Sequence, residues 1–224
     1  MKINAILFGS TGMIGQGVLQ ECLENSQVES VLVINRQSCQ KSHPKLKEII
    51  QKDFFDLSNI AGEFTKYNTC FFCLGVSSAG LSEVEYHKIT YDLTTSVANT
   101  LLTVNKDITF CYISGAGTDS TELGRSMWAR VKGKTENALL KLSFKNAIMF
   151  RPGYIHPMKG IKSKTKLYNI FYTILKPFYF IIKHFKSIAT NTETLGKAMI
   201  NAVATGCKKN ILESIDINEI GKGC

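Results

Sequence analysis

The chain opens on an apolar run, Ile3–Phe8, that stops abruptly in a loop of small residues. Beyond that loop the apolar period changes. Ile14, Val18 and Cys22 recur every fourth residue, with Leu19 and Leu23 beside them. The switch from a continuous run to helical spacing predicts a strand, a tight turn and a helix. Further apolar runs at residues 31–34, 46–50, 69–74, 108–113 and 147–150 read as strands, each followed by small or polar residues. Ser82 with Glu83 and Glu85 marks a helix start. Helical spacing returns at Leu93, Val97, Leu101 and Val104, and again over 125–136, where Trp128 and Lys132 share a face. Residues 192–204 read as a capped helix with Leu195, Met199 and Val203 on one side, and 211–217 as an edge strand or tail. Strands that alternate with helices predict an α/β domain built on a doubly wound parallel sheet. Its site is expected at the C-terminal ends of the strands.

Composition narrows this picture. At 224 residues, 44% hydrophobic and 20% charged, the chain suits a single globular domain over residues 1–224 with a small C-terminal addition. Seven scattered cysteines suggest no disulfide framework. Only Met1 and Lys2 precede the first strand, and no signal peptide is recognisable, so a reducing, cytoplasmic setting is expected. Cys70 and Cys73 form a C-x-x-C inside an apparent strand. Their thiols then face opposite ways, which favours core packing over a zinc or redox pair, and no metal set is expected.

The net charge of +9 is local. Between Asn137 and Thr192 there is no Asp or Glu, but nine lysines and Arg151. Within this region, residues 159–186 mix lysines with aromatics, and Lys176-Pro177 interrupts them, which argues against a membrane span. The preferred reading is a small helical lid over 159–190 whose aromatics line a pocket for an apolar small molecule. Peripheral contact with an anionic membrane is the alternative. Nucleic acid is not expected, because the aromatics cluster instead of interleaving with the basic residues.

The chemistry sits at the strand ends. In Gly9-Ser10-Thr11-Gly12-Met13-Ile14-Gly15, Gly9 permits the bend and Gly12 the close approach of a bulky anion. Gly15 permits tight helix–strand packing. Main-chain N–H groups and the helix dipole then face incoming phosphates. The competing reading is a plain strand–helix turn. Arg36 ends the second strand with no acid beside it, which suits a ribose 2′-phosphate and favours NADP over NAD; a solvated arginine is the alternative. Asp53 either accepts from an adenine amino group or caps a turn. Gly75 leaves room for the nicotinamide side of a dinucleotide, and Ser114 sits on the rim of the crevice. Arg151-Pro152-Gly153 ends the sixth strand.

Together the glycine turn, Ser114-Gly115, Lys132-Gly133-Lys134-Thr135-Glu136 and Arg151-Pro152-Gly153 resemble the atypical short-chain dehydrogenases/reductases. The likeness includes the NmrA-like, Tat-interacting-protein-like and NAD-dependent epimerase/dehydratase-like members, and covers roughly residues 2–160. It implies a Rossmann fold, an NAD(P) cofactor and a Ser–Tyr–Lys set. Ser114 and Lys132 match the serine and the lysine, with Lys132 also holding the nicotinamide ribose. Pro152 and Gly153 fall at the turn expected to hold the nicotinamide half.

Trp128 occupies the tyrosine position. An indole N–H donates a hydrogen bond but does not shuttle a proton near neutral pH. Two readings follow: an oxidoreductase or epimerase-like enzyme that draws its proton from another group, with Tyr112, Tyr154 and His156 as candidates, or an NADP(H)-binding regulator without chemistry.

Overall fold

The computed structural model describes residues 2–161 and 187–223. Strand β1 (Ile3–Phe8) leads through the glycine turn into α1 (Met13–Glu24), then β2 (Val28–Asn35) and β3 (Leu46–Ile50). A 3₁₀ segment (Ser58–Lys66) precedes β4 (Thr69–Phe72). A short α2 (Glu83–His87), one π turn (Lys88–Asp92) and α3 (Leu93–Val104) form the next crossover to β5 (Thr109–Ile113). Helix α4 (Met127–Lys141) connects to β6 (Asn146–Arg151). Strands β7 (Tyr154–His156) and β8 (Ala189–Asn191), α5 (Thr192–Thr205), β9 (Ile211–Glu213) and α6 (Ser214–Ile220) complete the described chain.

Seven strands pair in the order β3-β2-β1-β4-β5-β6-β9, all parallel. Side-chain alternation sorts each strand between two cores. Ala5, Leu7, Val31, Val33, Phe71, Cys111 and Phe150 face α1, α5 and α6. Ile6, Phe8, Leu32, Ile34, Phe72, Phe110 and Met149 face α3, α4 and the 3₁₀ segment. Burial on both faces is why the strands read as unbroken apolar runs and not as alternating ones. Cys70 belongs to one core and Cys73 packs against the other, as the strand reading of the C-x-x-C expects. Strand order reverses between β1 and β4, on either side of the glycine turn, which is where an open α/β sheet leaves a crevice.

Three expectations change in detail. The fourth strand ends at Phe72 and not at residue 74, because Gly9 crosses its exit: a β-carbon on Gly9 would lie 2.8 Å from the Cys73 carbonyl. Residues 211–217 divide into the edge strand β9 and the start of α6, at a capping box formed by Glu213 and Asp216. The predicted lid over 159–190 falls mostly on residues 162–186, outside the described residues. Its C-terminal end is strand, since Ala189–Asn191 pairs in parallel with Tyr154–His156. Lys159, at its start, bonds Glu21 (3.0 Å) and Glu24 (2.7 Å) of α1, so one cation of the basic stretch is neutralised within the fold.

Candidate functional site

A cleft of about 600 Å³ opens at the reversal of strand order. Met13 and Ile14 at the start of α1 form one wall. Cys73 to Ser78, leaving β4, form the floor, and Ile113, Ser114, Trp128 and Lys132 close the far side with Ile155 and Tyr86.

The glycine turn is built by close approach. Gly9 takes φ +83°, a left-handed conformation that a side chain would strain, and accepts a hydrogen bond from Gly12 N at 3.0 Å. A β-carbon on Gly12 would meet nothing nearer than the Gly9 carbonyl oxygen at 3.4 Å, so its outer face is open. Gly12 caps α1 without a side-chain bond, and the first turn of α1 carries no acid. The leading N–H groups of a twelve-residue helix therefore stand beside the cleft without a side-chain acceptor. This cradle fits a pyrophosphate.

Ser10 and Asn35 connect the turn to β2. Ser10 Oγ donates to Asn35 Oδ1 at 2.9 Å, and both residues are buried. Asn35 Nδ2 in turn donates to Glu48 on β3 at 2.9 Å. Glu48 also accepts from Ser38 Oγ (2.6 Å) and Cys39 N (2.8 Å). Burial alone would raise its pKa, but these donors outweigh that effect and hold the carboxylate below its ordinary value. The loop that carries Arg36 is thus tethered from beneath, while Arg36 itself is exposed. Asp53 is exposed too. Its Oδ1 accepts from Phe55 N at 2.8 Å, the turn-capping geometry.

On the far side, Ser114 donates through both its N–H (2.9 Å) and its hydroxyl (3.1 Å) to the Phe150 carbonyl. The indole of Trp128 lies over the turn after β5, within 3.9 Å of the β-carbon positions of Gly115 and Gly117. Lys132 is 7% exposed; its Nζ donates to the Ile113 carbonyl at 3.0 Å and sits 4.8 Å from the Tyr112 ring centroid. Burial lowers its pKa to about 8, and the charge of Glu136 only partly offsets that. Gly75 faces this amine: a β-carbon there would be 3.9 Å from Nζ.

The structure thus brings Met13, Ile14, Gly75, Ser114, Trp128 and Lys132 into one cleft. Gly9 to Gly12, Arg36, Asp53, Pro152 and Gly153 lie outside its described lining. Pro152 accepts Ala116 N at 2.9 Å, and Gly153 N donates to Ser214 Oγ at 2.7 Å, so this turn holds β6 against α6. Tyr112 is buried in the α3/α4 core, where burial pushes its hydroxyl pKa well up. Tyr154 and His156 lie on β7, with Tyr154 Oη 3.5 Å from His156 Nδ1, while Ile155 between them faces the cleft.

No family model matches the chain. Over 97% of its length it superposes on 99% of a short-chain dehydrogenase/reductase from Saccharomyces cerevisiae, at TM-score 0.70 and 12% identity. This is the fold of the short-chain dehydrogenases/reductases. It is similar also to a UDP-N-acetylglucosamine 4-epimerase from Methanobrevibacter ruminantium (TM-score 0.67, 15% identity, 95% of this chain and 76% of that one). WbmF of Bordetella bronchiseptica, solved with NAD+, matches at TM-score 0.67 and 14% identity over 99% of this chain and 78% of that one. The resemblance read from the motifs, and the Rossmann sheet it implies, are borne out.

Curated relatives include the fungal proteins named "Protein fmp52-2, mitochondrial" from Aspergillus terreus and "Protein FMP52, mitochondrial" from Chaetomium globosum. The first is 28% identical over 74% of this chain and 72% of that protein. The second is 24% identical over 99% of this chain and 98% of its own length. These names correct the cytoplasmic expectation, which rested on cysteine usage and on finding no recognisable signal peptide. Scattered thiols report a reducing environment and not an address.

Two parts of the site escaped sequence reasoning. The Ser10–Asn35–Glu48 chain spans three separate segments, and its only local trace was a polar Asn35 closing an apolar strand. The inward turn of Ile155 was hinted at by the polar residues on either side of it.

Proposed function

We propose that this protein is an NADP(H)-dependent oxidoreductase of the atypical short-chain type, acting on a small apolar carbonyl or alcohol. The observation that carries the proposal is the switch-point cleft itself. One wall is an uncapped helix start behind a left-handed glycine, and the opposite wall holds a buried lysine. Gly9, Ser10, Thr11, Gly12, Met13 and Ile14 would hold the pyrophosphate and adenosine side. Arg36 would meet the 2′-phosphate, and Gly75 and Lys132 the nicotinamide side. A bound nicotinamide dinucleotide supplies hydride chemistry. The chain's own residues orient it and exclude water, and Ser114, its hydrogen committed to Phe150, offers oxygen lone pairs. Met13, Val76, Trp128 and Ile155 favour an apolar substrate. Named mitochondrial relatives support a mitochondrial setting.

Trp128 favours a second reading, a dinucleotide-binding regulator without turnover. Incubation with NADPH and a carbonyl panel, followed by nicotinamide absorbance, separates the two. Turnover that is lost in Ser114→Ala supports the enzyme. Tight NADPH binding with no turnover, unchanged in Trp128→Tyr, supports the regulator.

A further inference from the structure

Lys132 is, among the described residues, the only charged side chain lining the cleft. Among the described residues it has no carboxylate at ion-pair distance, since the nearby Glu136 is engaged by Arg151 through Nε at 3.1 and 3.2 Å. One of its N–H groups is held by the Ile113 carbonyl at the C-terminal end of β5. Gly75 approaches the amine without a side chain of its own: a β-carbon there would be 3.9 Å from Nζ. Ser114, Trp128 and Cys73, which share the lining with Lys132, are poorly suited to move a proton. The hydroxyl hydrogen of Ser114 is committed to Phe150, and an indole does not ionise. Cys73 is held un-ionised by burial, which drives its pKa far up.

We propose that Lys132 is itself the acid–base group of this cleft, delivering a proton to the substrate oxygen from its ammonium form. The inference rests on the reading of the cleft as a dinucleotide-dependent oxidoreductase. In reduction, the carbonyl carbon gains the hydride and its two electrons from the reduced dinucleotide, and the π pair moves onto oxygen. That oxygen takes a proton from Lys132, and the neutral amine left behind regains one from water. In the reverse direction the neutral amine takes the alcohol proton as hydride leaves carbon. The titratable groups around Lys132 are Glu136 on its own helix, Tyr112 of β5, Tyr86 of α2 and Cys73 beyond β4. Desolvation brings this lysine down to about 8, near the neutral range where general acids and bases are most effective.

The test uses the full chain, NADPH and 4-nitrobenzaldehyde as probe carbonyl. Acetic anhydride trace-labelling, read by peptide mass spectrometry across pH, reports the Lys132 amine without requiring turnover. A labelling midpoint near 8 is expected. The kcat/KM for reduction should fall above that same pH, and that for oxidation of 4-nitrobenzyl alcohol with NADP+ should rise through it. Lys132→Arg keeps the charge but releases no proton, so kcat should drop at least ~100-fold. Lys132→Met should remove the pH break. A labelling midpoint in the ordinary lysine range, or a break that survives in Lys132→Met, overturns the inference alone. NADPH binding with no turnover at any pH overturns the oxidoreductase reading, and the inference falls with it.

Discussion

A β-carbon built on Gly15 would overlap the main-chain carbonyl of Gly9. The two glycines press α1 onto the end of β1, and that contact aims the helix start at the cleft. Gly15→Ala should force the turn apart, costing about 1–3 kcal/mol by overpacking. Dinucleotide affinity should fall with it. Chemical denaturation and an NADPH titration on the same variant check both effects. Unchanged stability would mean that the turn relaxes easily and does not set the helix position.

Arg36 lies on a loop tethered from below by Glu48, which bonds Ser38, Cys39 and Asn35. A charge-assisted bond to a 2′-phosphate is worth about 1.5–3 kcal/mol, or roughly 10- to 100-fold in affinity. Arg36→Ala should weaken NADPH by that factor and leave NADH untouched. Equal losses for both cofactors would assign Arg36 no part in discrimination.

Glu136 is fully buried, and Arg151 at the end of β6 meets it with two nitrogens while also bonding Ser120 and Glu213. The pair joins α4, which carries Lys132, to the sheet. The Glu136 bond is the main reason the Arg151 pKa is raised. Arg151→Met leaves a buried carboxylate alone and should destabilise the fold by about 3–5 kcal/mol. The double variant with Glu136→Gln should recover part of that loss. Urea denaturation of the single and double variants gives the coupling directly.

Lys132 also makes stability depend on pH. Its folded pKa of about 8 lies below the ordinary 10.5, so between these values the unfolded chain binds a proton that the folded chain does not. This contribution to wild-type stability therefore rises as pH climbs from 8 toward 10.5. Below 8 the folded state holds a desolvated charge. Lys132→Met should consequently be the more stable protein at pH 7, and its advantage should shrink across that window. Thermal unfolding at several pH values measures the difference; a gap that widens with pH would reverse the assignment.

Much of this architecture was legible because it depends on local pattern. Residues 3–8 and 31–34 read as strands since burial on both faces demands unbroken apolar runs, and the glycine turn announced itself at the first junction. The motif around Lys132 was legible as a unit, yet its members serve separate ends. Lys132 enters the cleft, Gly133 gives way to the Asp119 carbonyl, and Glu136 binds Arg151. Spacing alone could not distribute those roles. Pro152-Gly153 carried a recognisable signature but lies outside the lining, because Gly153 is needed where the chain passes the Ile188 carbonyl. Contacts such as Ser10 with Asn35 depend on which segments the sheet order brings together, and no single window of sequence contains them.

On the proposed reading, the cleft between β1 and β4 holds a nicotinamide dinucleotide. Isothermal titration calorimetry with NADP+, NADPH, NAD+ and NADH tests it most directly. Saturable one-site binding is expected, tightest for an NADP form and weakened in Gly15→Ala. No heat from any of the four with folded protein would contradict it.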